Sequence, residues 1–417
     1  FLPVANVINI KQGGALLDAR TFYGFDGWEI KERDGLQYAV PKLGPQFGFS
    51  DDQGDGTVGD LRAEVDKDMD PVYQDELILG FQQELNQSWS WGVRGIYRKL
   101  HNAIDDINIR ATPQCGRVGS SWVMANPGKV VTIWGDSDCD GTKDSYIDID
   151  TSKYGYWTEN DNYEYHDGEW DYVNSTGGSQ RGWVKPRRDY KAVEFQIDRA
   201  WDDKWSFNAS YTWSRSYGNA EGPVNTDTNF GDSGRTENFD DPFVNLNGYG
   251  PLANDHRHEF KMRGSYAFTD NWSVGGTLNA HSGGPITAFG VGNPYNWKSY
   301  HSYYICEENC TPEQTYPDPQ EGDTWSTADR IFKHSSRGGA GRMPWVINMG
   351  ASIAYERDFG PSTFRARFAV YNLFNRQVPV WVYQELEPGV GDRDPYFGKE
   401  RYLQGSRFGQ LTLSLDF

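Results

Sequence analysis

The sequence predicts an all-β protein, an antiparallel up-and-down barrel that crosses a membrane with its strands. Three observations carry that expectation. Nine segments alternate apolar and polar residues, the period of a strand whose side chains point to opposite faces in turn. Tight links and long connections alternate between them, as in barrels with short turns at one rim and long loops at the other. Tryptophans recur beside the tight links: Trp89, Trp205 and Trp272 follow one and Trp201 precedes one, the spacing of an aromatic belt at one membrane interface.

The segments run as follows. Leu77, Leu79, Phe81 and Leu85 oppose Glu76, Gln82 and Glu84, and Trp91, Val93 and Tyr97 oppose Arg94 and Arg98. Val193, Phe195 and Ile197 alternate with Glu194, Gln196 and Asp198, then Trp205, Phe207, Ala209, Tyr211 and Trp213 with Ser206, Asn208, Ser210 and Thr212. Phe260, Met262, Tyr266 and Phe268 face away from Glu259, Lys261 and Arg263, and Trp272, Val274 and Leu278 from Ser273, Thr277 and Asn279. The last three carry Ile347, Met349, Ala351, Ile353 and Tyr355; Phe364, Phe368, Val370 and Phe374 against Arg365 and Arg367; and Leu411, Leu413, Leu415 and Phe417. Tight links rich in turn formers join them in pairs: Asn86-Gln87-Ser88, Asp202-Asp203-Lys204, Thr269-Asp270-Asn271 and Gly360-Pro361-Ser362. Between the pairs lie connections at 104–186, 218–253, 284–343 and 377–399, read as long irregular loops on the external side. Residues 1–71 read as an external loop region with short strands, and 72–417 as the barrel portion.

Composition narrows the function classes. Fifty-nine acidic residues against 40 basic ones give a net charge of -19, which repels the phosphates of nucleic acid. No run approaches the ~18 apolar residues of a membrane-spanning helix. A strand barrel is not excluded, because only every second residue of its strands faces lipid. The chain opens Phe1-Leu2-Pro3 without a charged-then-apolar leader, so a secretion signal is expected to have been removed or to lie on a part not shown. Four cysteines fall into two local sets, Cys115 with Cys139 and Cys306 with Cys310, which suits two disulfides in an oxidising compartment.

Several motifs resemble one family. Asp255 to Tyr266 (DHRHEFKMRGSY), Ser282 to Thr287 (SGGPIT), Val370 to Asn375 (VYNLFN) and the terminal strand are similar to the C-terminal half of a TonB-dependent outer-membrane receptor. Tyr73 to Phe81 (YQDELILGF) and Tyr97 to Asp106 (YRKLHNAIDD) resemble its Oar-like branch. The resemblance implies a barrel of roughly 22 strands closed by an N-terminal plug, an external-loop ligand site, and uptake energised by an inner-membrane TonB complex acting on the plug. It also implies that the terminal aromatic, Phe417, is the signal read by the barrel assembly machinery, with Leu411, Leu413 and Leu415 facing lipid. Neither a plug nor a TonB-contacting segment is found in the sequence, and nine is an odd strand number. Because open edges are not tolerated in lipid, the chain is expected to be the C-terminal portion of a longer protein, or one of two polypeptides completing a barrel.

The candidate sites follow from the loops and the inward face. Asp136-Ser137-Asp138-Cys139-Asp140-Gly141, with Asp144, matches the first part of a calcium loop, in which alternate carboxylates supply hard oxygen ligands and a glycine makes the sharp turn. Ile147 stands where the twelfth-position acid belongs, so a bound Ca2+ and a solvated acidic loop both remain open. No other cofactor is expected. Cys306-Glu307-Glu308-Asn309-Cys310 lacks the usual redox spacing and reads as a local disulfide. His256 and His258 share a strand face but have no third ligand nearby, which favours strand-end positioning over a metal. No G-x-S-x-G elbow, phosphate-cradling glycine loop or paired carboxylate site appears, so no enzyme is expected. Arg94, Arg98, Glu194, Lys261, Arg263, Arg365 and Arg367 are expected to line the lumen, where the resemblance implies contact with a plug. Tyr154-Gly155-Tyr156-Trp157 and Tyr300 to Tyr304 offer aromatic surfaces that either capture a ligand or pack the loops together. Three function classes follow: a ligand-capturing outer-membrane receptor, a non-transporting barrel acting as scaffold or adhesin with calcium-tied loops, and a secreted soluble all-β enzyme or lectin.

Overall fold

The computed structural model describes residues 21–33, 36–49, 60–158, 162–166, 169–173, 179–222, 224–228, 236–294, 301–310 and 330–417. The protein is almost wholly β, with one four-residue helix, Leu61–Glu64, and one 3-10 turn, Glu237–Phe239, among the described residues. Among the described residues no helix is long and apolar enough to cross a membrane, which says nothing of a β-barrel.

Two strands, β1 (Thr21–Arg33) and β2 (Leu36–Phe49), form a separate hairpin, longer than the short strands expected in that region. The main sheet then runs in chain order through β3 (Tyr73–Glu84), β4 (Trp89–His101), β5 (Arg188–Arg199), β6 (Trp205–Gly218), β7 (His258–Ala267), β8 (Trp272–His281), β9 (Val346–Phe359), β10 (Ser362–Tyr371) and β11 (Phe408–Asp416). Every neighbouring pair is antiparallel. These are the nine segments read from the sequence, in the up-and-down order expected.

The tight turns have local causes. The Asn86 side chain accepts the amide hydrogens of Ser88 and Trp89, and the Thr269 hydroxyl accepts those of Asn271 and Trp272, so each side chain caps its own turn. Gly360 takes φ +65° between β9 and β10, a conformation that strains any residue with a Cβ.

Register separates the faces. Leu79, Phe81, Phe195, Phe368, Leu411, Leu413 and Leu415 lie on one side, and Leu79 is 69% exposed. A long apolar face of this kind is unstable against water but suits hydrocarbon. On the other side, charged residues pair directly across strands: Arg94 with Glu194 at 2.9 Å, Arg98 with Glu76 at 2.6 Å, and Arg365 with Glu356 at 3.0 Å. At the short-turn end, Trp89 meets Trp205 edge to face and Trp272 leans on Tyr355. The largest hydrophobic core lies elsewhere, in the connections, and none of its members belongs to the nine strands.

Candidate functional site

The connections expected to be irregular are built structures. Between β4 and β5 run the hairpins Asp105–Thr112 with Gly116–Ala125, and Val130–Gly135 with Ser145–Asp150. Each alternates over only a few residues, turning Ile107, Ile109, Val123, Ala125, Val131, Ile133, Ile147 and Ile149 inward. Phe239 and Phe243, from the connection between β6 and β7, complete this core with Tyr156 and Trp183. The Trp183 indole donates to the Phe239 carbonyl at 2.7 Å, and the Tyr156 ring meets Trp183 and Phe243 edge on. The segment leading into β3 is fixed to the same unit. Asp66 accepts the Thr132 amide at 2.9 Å, Arg62 lies over the Trp134 ring at 4.2 Å, and Lys67 over Tyr146 at 4.7 Å.

Buried polar groups tie the connections to one another. Asp105 accepts the amide and the hydroxyl of Thr236, and the Glu237 carboxylate bonds His301 at 2.6 Å, so three connections meet there. Burial, and then the charges of Asp106, Asp105, Asp241 and Glu237, push the Asp240 carboxyl up to about 9. Burial and the charge of Asp106 raise Asp105 as well. A second junction surrounds Arg337, whose side chain is wholly buried. It donates to Asp227 at 2.6 Å, lies 3.6 Å from Glu221, and faces the Tyr303 ring. Gln384, from the connection between β10 and β11, donates to the Asp227 carbonyl and accepts the Thr287 amide. At the rim, Asp255 accepts the Ser216 amide and bonds Arg257 and Arg342.

Disulfides join Cys115 to Cys139 and Cys306 to Cys310. The second packs with Val291, Val390 and Phe332, while the buried Glu387 carboxylate accepts the Cys306 amide at 3.0 Å and the Gly391 amide at 2.8 Å.

The structure brings Asp136, Asp138 and Asp140 together, with one oxygen of each within 4.8 Å of the others, and leaves Asp144 outside that group. The chain curls because Gly141 takes φ +90° and Cys139 φ +66°, so that the amides of Cys139, Asp140 and Gly141 all donate to Asp136. Desolvation opposes ionisation of Asp136, but these amide donors outweigh it and hold its carboxyl below the usual range. The charge of Asp140 raises Asp138. The three carboxylates offer hard oxygen donors of the kind Ca2+ takes.

His256 and His258 separate. His256 bonds the Ser282 carbonyl through Nδ1 at 2.7 Å and packs on His281, while His258 bonds the Tyr211 hydroxyl at 2.8 Å. Of the two aromatic stretches read as either ligand-capturing or loop-packing surfaces, Tyr156, Tyr303 and Tyr304 are buried as loop packing, Tyr154 is exposed, and Tyr300 lies outside the described residues. An exposed aromatic cluster stands on and between the strands Pro379–Val382 and Glu400–Leu403, where Trp381, Tyr383, Tyr396 and Tyr402 lie with Arg401 and Lys399. Sequence reading missed it because these residues join only when the hairpin closes; the local signal was the density of aromatic residues within one connection.

On the polar face of the sheet is a cavity of about 750 Å³, bordered by Asn208, Arg263, Ser265, Thr277, Ser352 and Arg367. Arg263 and Arg367 thus border open space, whereas Arg94, Arg98, Glu194 and Arg365 are held in cross-strand ion pairs and Lys261 pairs with Glu259 at 2.8 Å.

Over 220 residues, 51% of this chain, the sequence is 28% identical to the TonB-dependent transporter Oar of Myxococcus xanthus, covering 17% of that protein. The outer membrane transporter YddB from Escherichia coli is similar in structure at 9% identity and a TM-score of 0.39, over 84% of this chain and 33% of its own. The Escherichia coli ferric-catecholate import receptor Fiu is similar at 13% identity and a TM-score of 0.28, over 95% of this chain and 50% of its own. The chain therefore spans only part of the length of each. The family model for the outer membrane beta barrel domain matches residues 37–379. The chain belongs to the outer membrane β-barrel domain family and to the bacterial outer membrane.

Proposed function

We propose that this chain is the C-terminal, ligand-facing part of an outer-membrane receptor whose external loops capture a ligand for passage through the barrel. The observation that carries this reading is the contrast between the two ends of the sheet. Four long connections converge into cored, cross-braced structure above one rim, while the polar face behind them carries a cavity. Rigid loops over a polar passage hold binding groups in place without ordering costs at each encounter. Relatedness to the transporter Oar supports the same reading. In this proposal a plug and an inner-membrane TonB complex supply gating and energy. Arg94, Arg98, Glu194, Lys261, Arg263, Arg365 and Arg367 face the plug, and Phe417 serves barrel assembly. Asp136, Asp138 and Asp140, with Asp144 nearby, hold a Ca2+ that steadies the loop closed by Cys115 and Cys139.

The test is accumulation of ligand fractions from spent medium by cells carrying the full-length protein, before and after removal of the inner-membrane energiser. Uptake that stops on removal is expected. Binding that continues with no uptake in either state would leave a non-transporting scaffold or adhesin. For the metal, chelation is expected to lower protection of residues 130–150 from hydrogen exchange, and an Asp136→Ala variant matching the parent would remove the site.

A further inference from the structure

The junction around Arg337 buries more oxygen than its own donors satisfy. Glu221, Asn225, Asp227, Asn245 and Arg337 are each more than nine-tenths buried. The first four side chains share one pattern. One polar atom of each is tied to the protein, and the other is a buried oxygen with no hydrogen bond to any described residue. Glu221 accepts the Thr226 amide at 3.0 Å and hydroxyl at 2.6 Å through Oε2, leaving Oε1. Asp227 accepts Arg337 at 2.6 Å through Oδ2, leaving Oδ1. Asn245 donates Nδ2 to the Asn219 carbonyl at 2.8 Å and Asn225 donates Nδ2 to Asn238 Oδ1 at 3.2 Å, each leaving Oδ1. The Thr228 hydroxyl is buried and unbonded as well.

Neighbouring groups fix which way the two amides point. A carbonyl only accepts, so Asn245 turns its amino group to Asn219. Asp105 accepts the Thr236 hydroxyl, Thr236 accepts Asn238 Nδ2, and Asn238 Oδ1 therefore accepts from Asn225. The bare oxygens also share one locality. Asn225 lies within the turn that Glu221 closes through Thr226, and Arg337 lies 3.6 Å from Glu221 Oε1. A Cβ on Gly248 would stand 2.4 Å from both Asn245 Oδ1 and the Tyr303 ring, the ring that Arg337 faces at 5.9 Å.

Donors and charge select what binds there. Against these oxygens stand only Nε and Nη1 of Arg337 as buried unbonded donors, too few to hold an anion. Carboxylate, amide and hydroxyl oxygens together are the donor set of a hard cation. Two buried carboxylates share one buried guanidinium, because the nearby Arg188 is only partly buried and donates to the Glu221 main-chain carbonyl. One further positive charge neutralises the group, whereas a divalent ion leaves an excess beside Arg337.

We propose that Glu221, Asp227, Asn225 and Asn245, with Thr228, bind a small monovalent cation of the sodium type. The Asp227 carboxylate bridges the ion and Arg337, so binding fixes the turn after β6 onto the connection between β8 and β9. Arg337 is a positioning residue and does not touch the ion.

The experiment measures hydrogen exchange of the amides of Val224 to Thr228 in the full-length protein, in sodium chloride and in choline chloride of equal ionic strength. An Asp136→Ala background removes any contribution from the acidic loop. Exchange is expected to be about tenfold slower in sodium, as for a site whose ion stands at roughly ten times its dissociation constant. Asn245→Leu keeps the volume and removes one oxygen, and is expected to exchange at the choline rate in both salts. Should that variant fail to assemble, Thr228→Val carries the comparison, with the sodium effect reduced to roughly threefold. Equal exchange of the parent in the two salts overturns the site and leaves the oxygens to water. A sodium effect undiminished in both variants overturns the ligand assignment. Stronger protection by millimolar calcium than by sodium overturns the choice of a monovalent ion.

Discussion

The membrane sheet and the external loop assembly are both β-structure, yet they are stabilised in opposite ways. The sheet turns Leu79, Phe368, Leu411 and Leu413 outward, so its apolar groups rely on surrounding lipid rather than on one another. The loop assembly turns Ile107, Ile109, Val131 and Ile149 inward and buries them completely, as a small soluble domain does. The same two-residue alternation therefore has two meanings, set by which solvent lies on the apolar side. One region needs a membrane to exist, and the other needs its own core and cross-links.

Substitutions sharpen this comparison, the largest effect first. Phe243→Ala, in the loop core, is expected to cost the assembly about 3 to 5 kcal/mol. The check is hydrogen exchange, with protection lost across 105–150 and retained in the sheet; uniform loss would mean that the two regions are one cooperative unit. Leu413→Arg places a charge in hydrocarbon and is expected to destabilise the sheet by about 2 to 4 kcal/mol. Denaturant unfolding in bilayers measures it, and a loop core that melts in step would break the distinction. Replacing Cys115 and Cys139 by Ser removes a cross-link with a sequence separation of 24, expected to cost about 3 kcal/mol. Protease cleavage between these residues, with sheet unfolding unchanged, is the expected result.

The loop assembly alone is expected to respond to alkali. Asp240 holds its proton up to about 9 because it is buried among other acids. The folded form then binds more protons than the unfolded form from the ordinary carboxyl range up to about 9, so stability falls as pH rises through that window. The slope per group cannot exceed about 1.4 kcal/mol per pH unit. Protease resistance of residues 102–253 at pH 6 and pH 9 measures it, and Asp240→Asn is expected to flatten the difference. The smallest effect belongs to the polar face of the sheet, where Arg94→Gln breaks a half-exposed pair with Glu194 and is expected to cost under about 1 kcal/mol.

Sequence alone determined the nine strands, their order and the tight turns between them. Strands such as Trp205–Gly218 alternate long enough for the period to stand out, and Asn86 or Thr269 caps its turn with its own side chain, so the information is local. It also located the four connections and the local cysteine pairs. Only tertiary structure decided what the connections are. Val130–Gly135 and Ser145–Asp150 alternate too briefly to be distinguished from loop, and their core is completed by Phe243, about a hundred residues away. Burial of Tyr156 and Tyr303, exposure of Tyr396 and Tyr402, and the meeting of Arg337 with Asp227 likewise depend on chain closure across long separations. A two-residue period says which side chains share a face, and only the folded chain says whether lipid, water or another side chain lies against it.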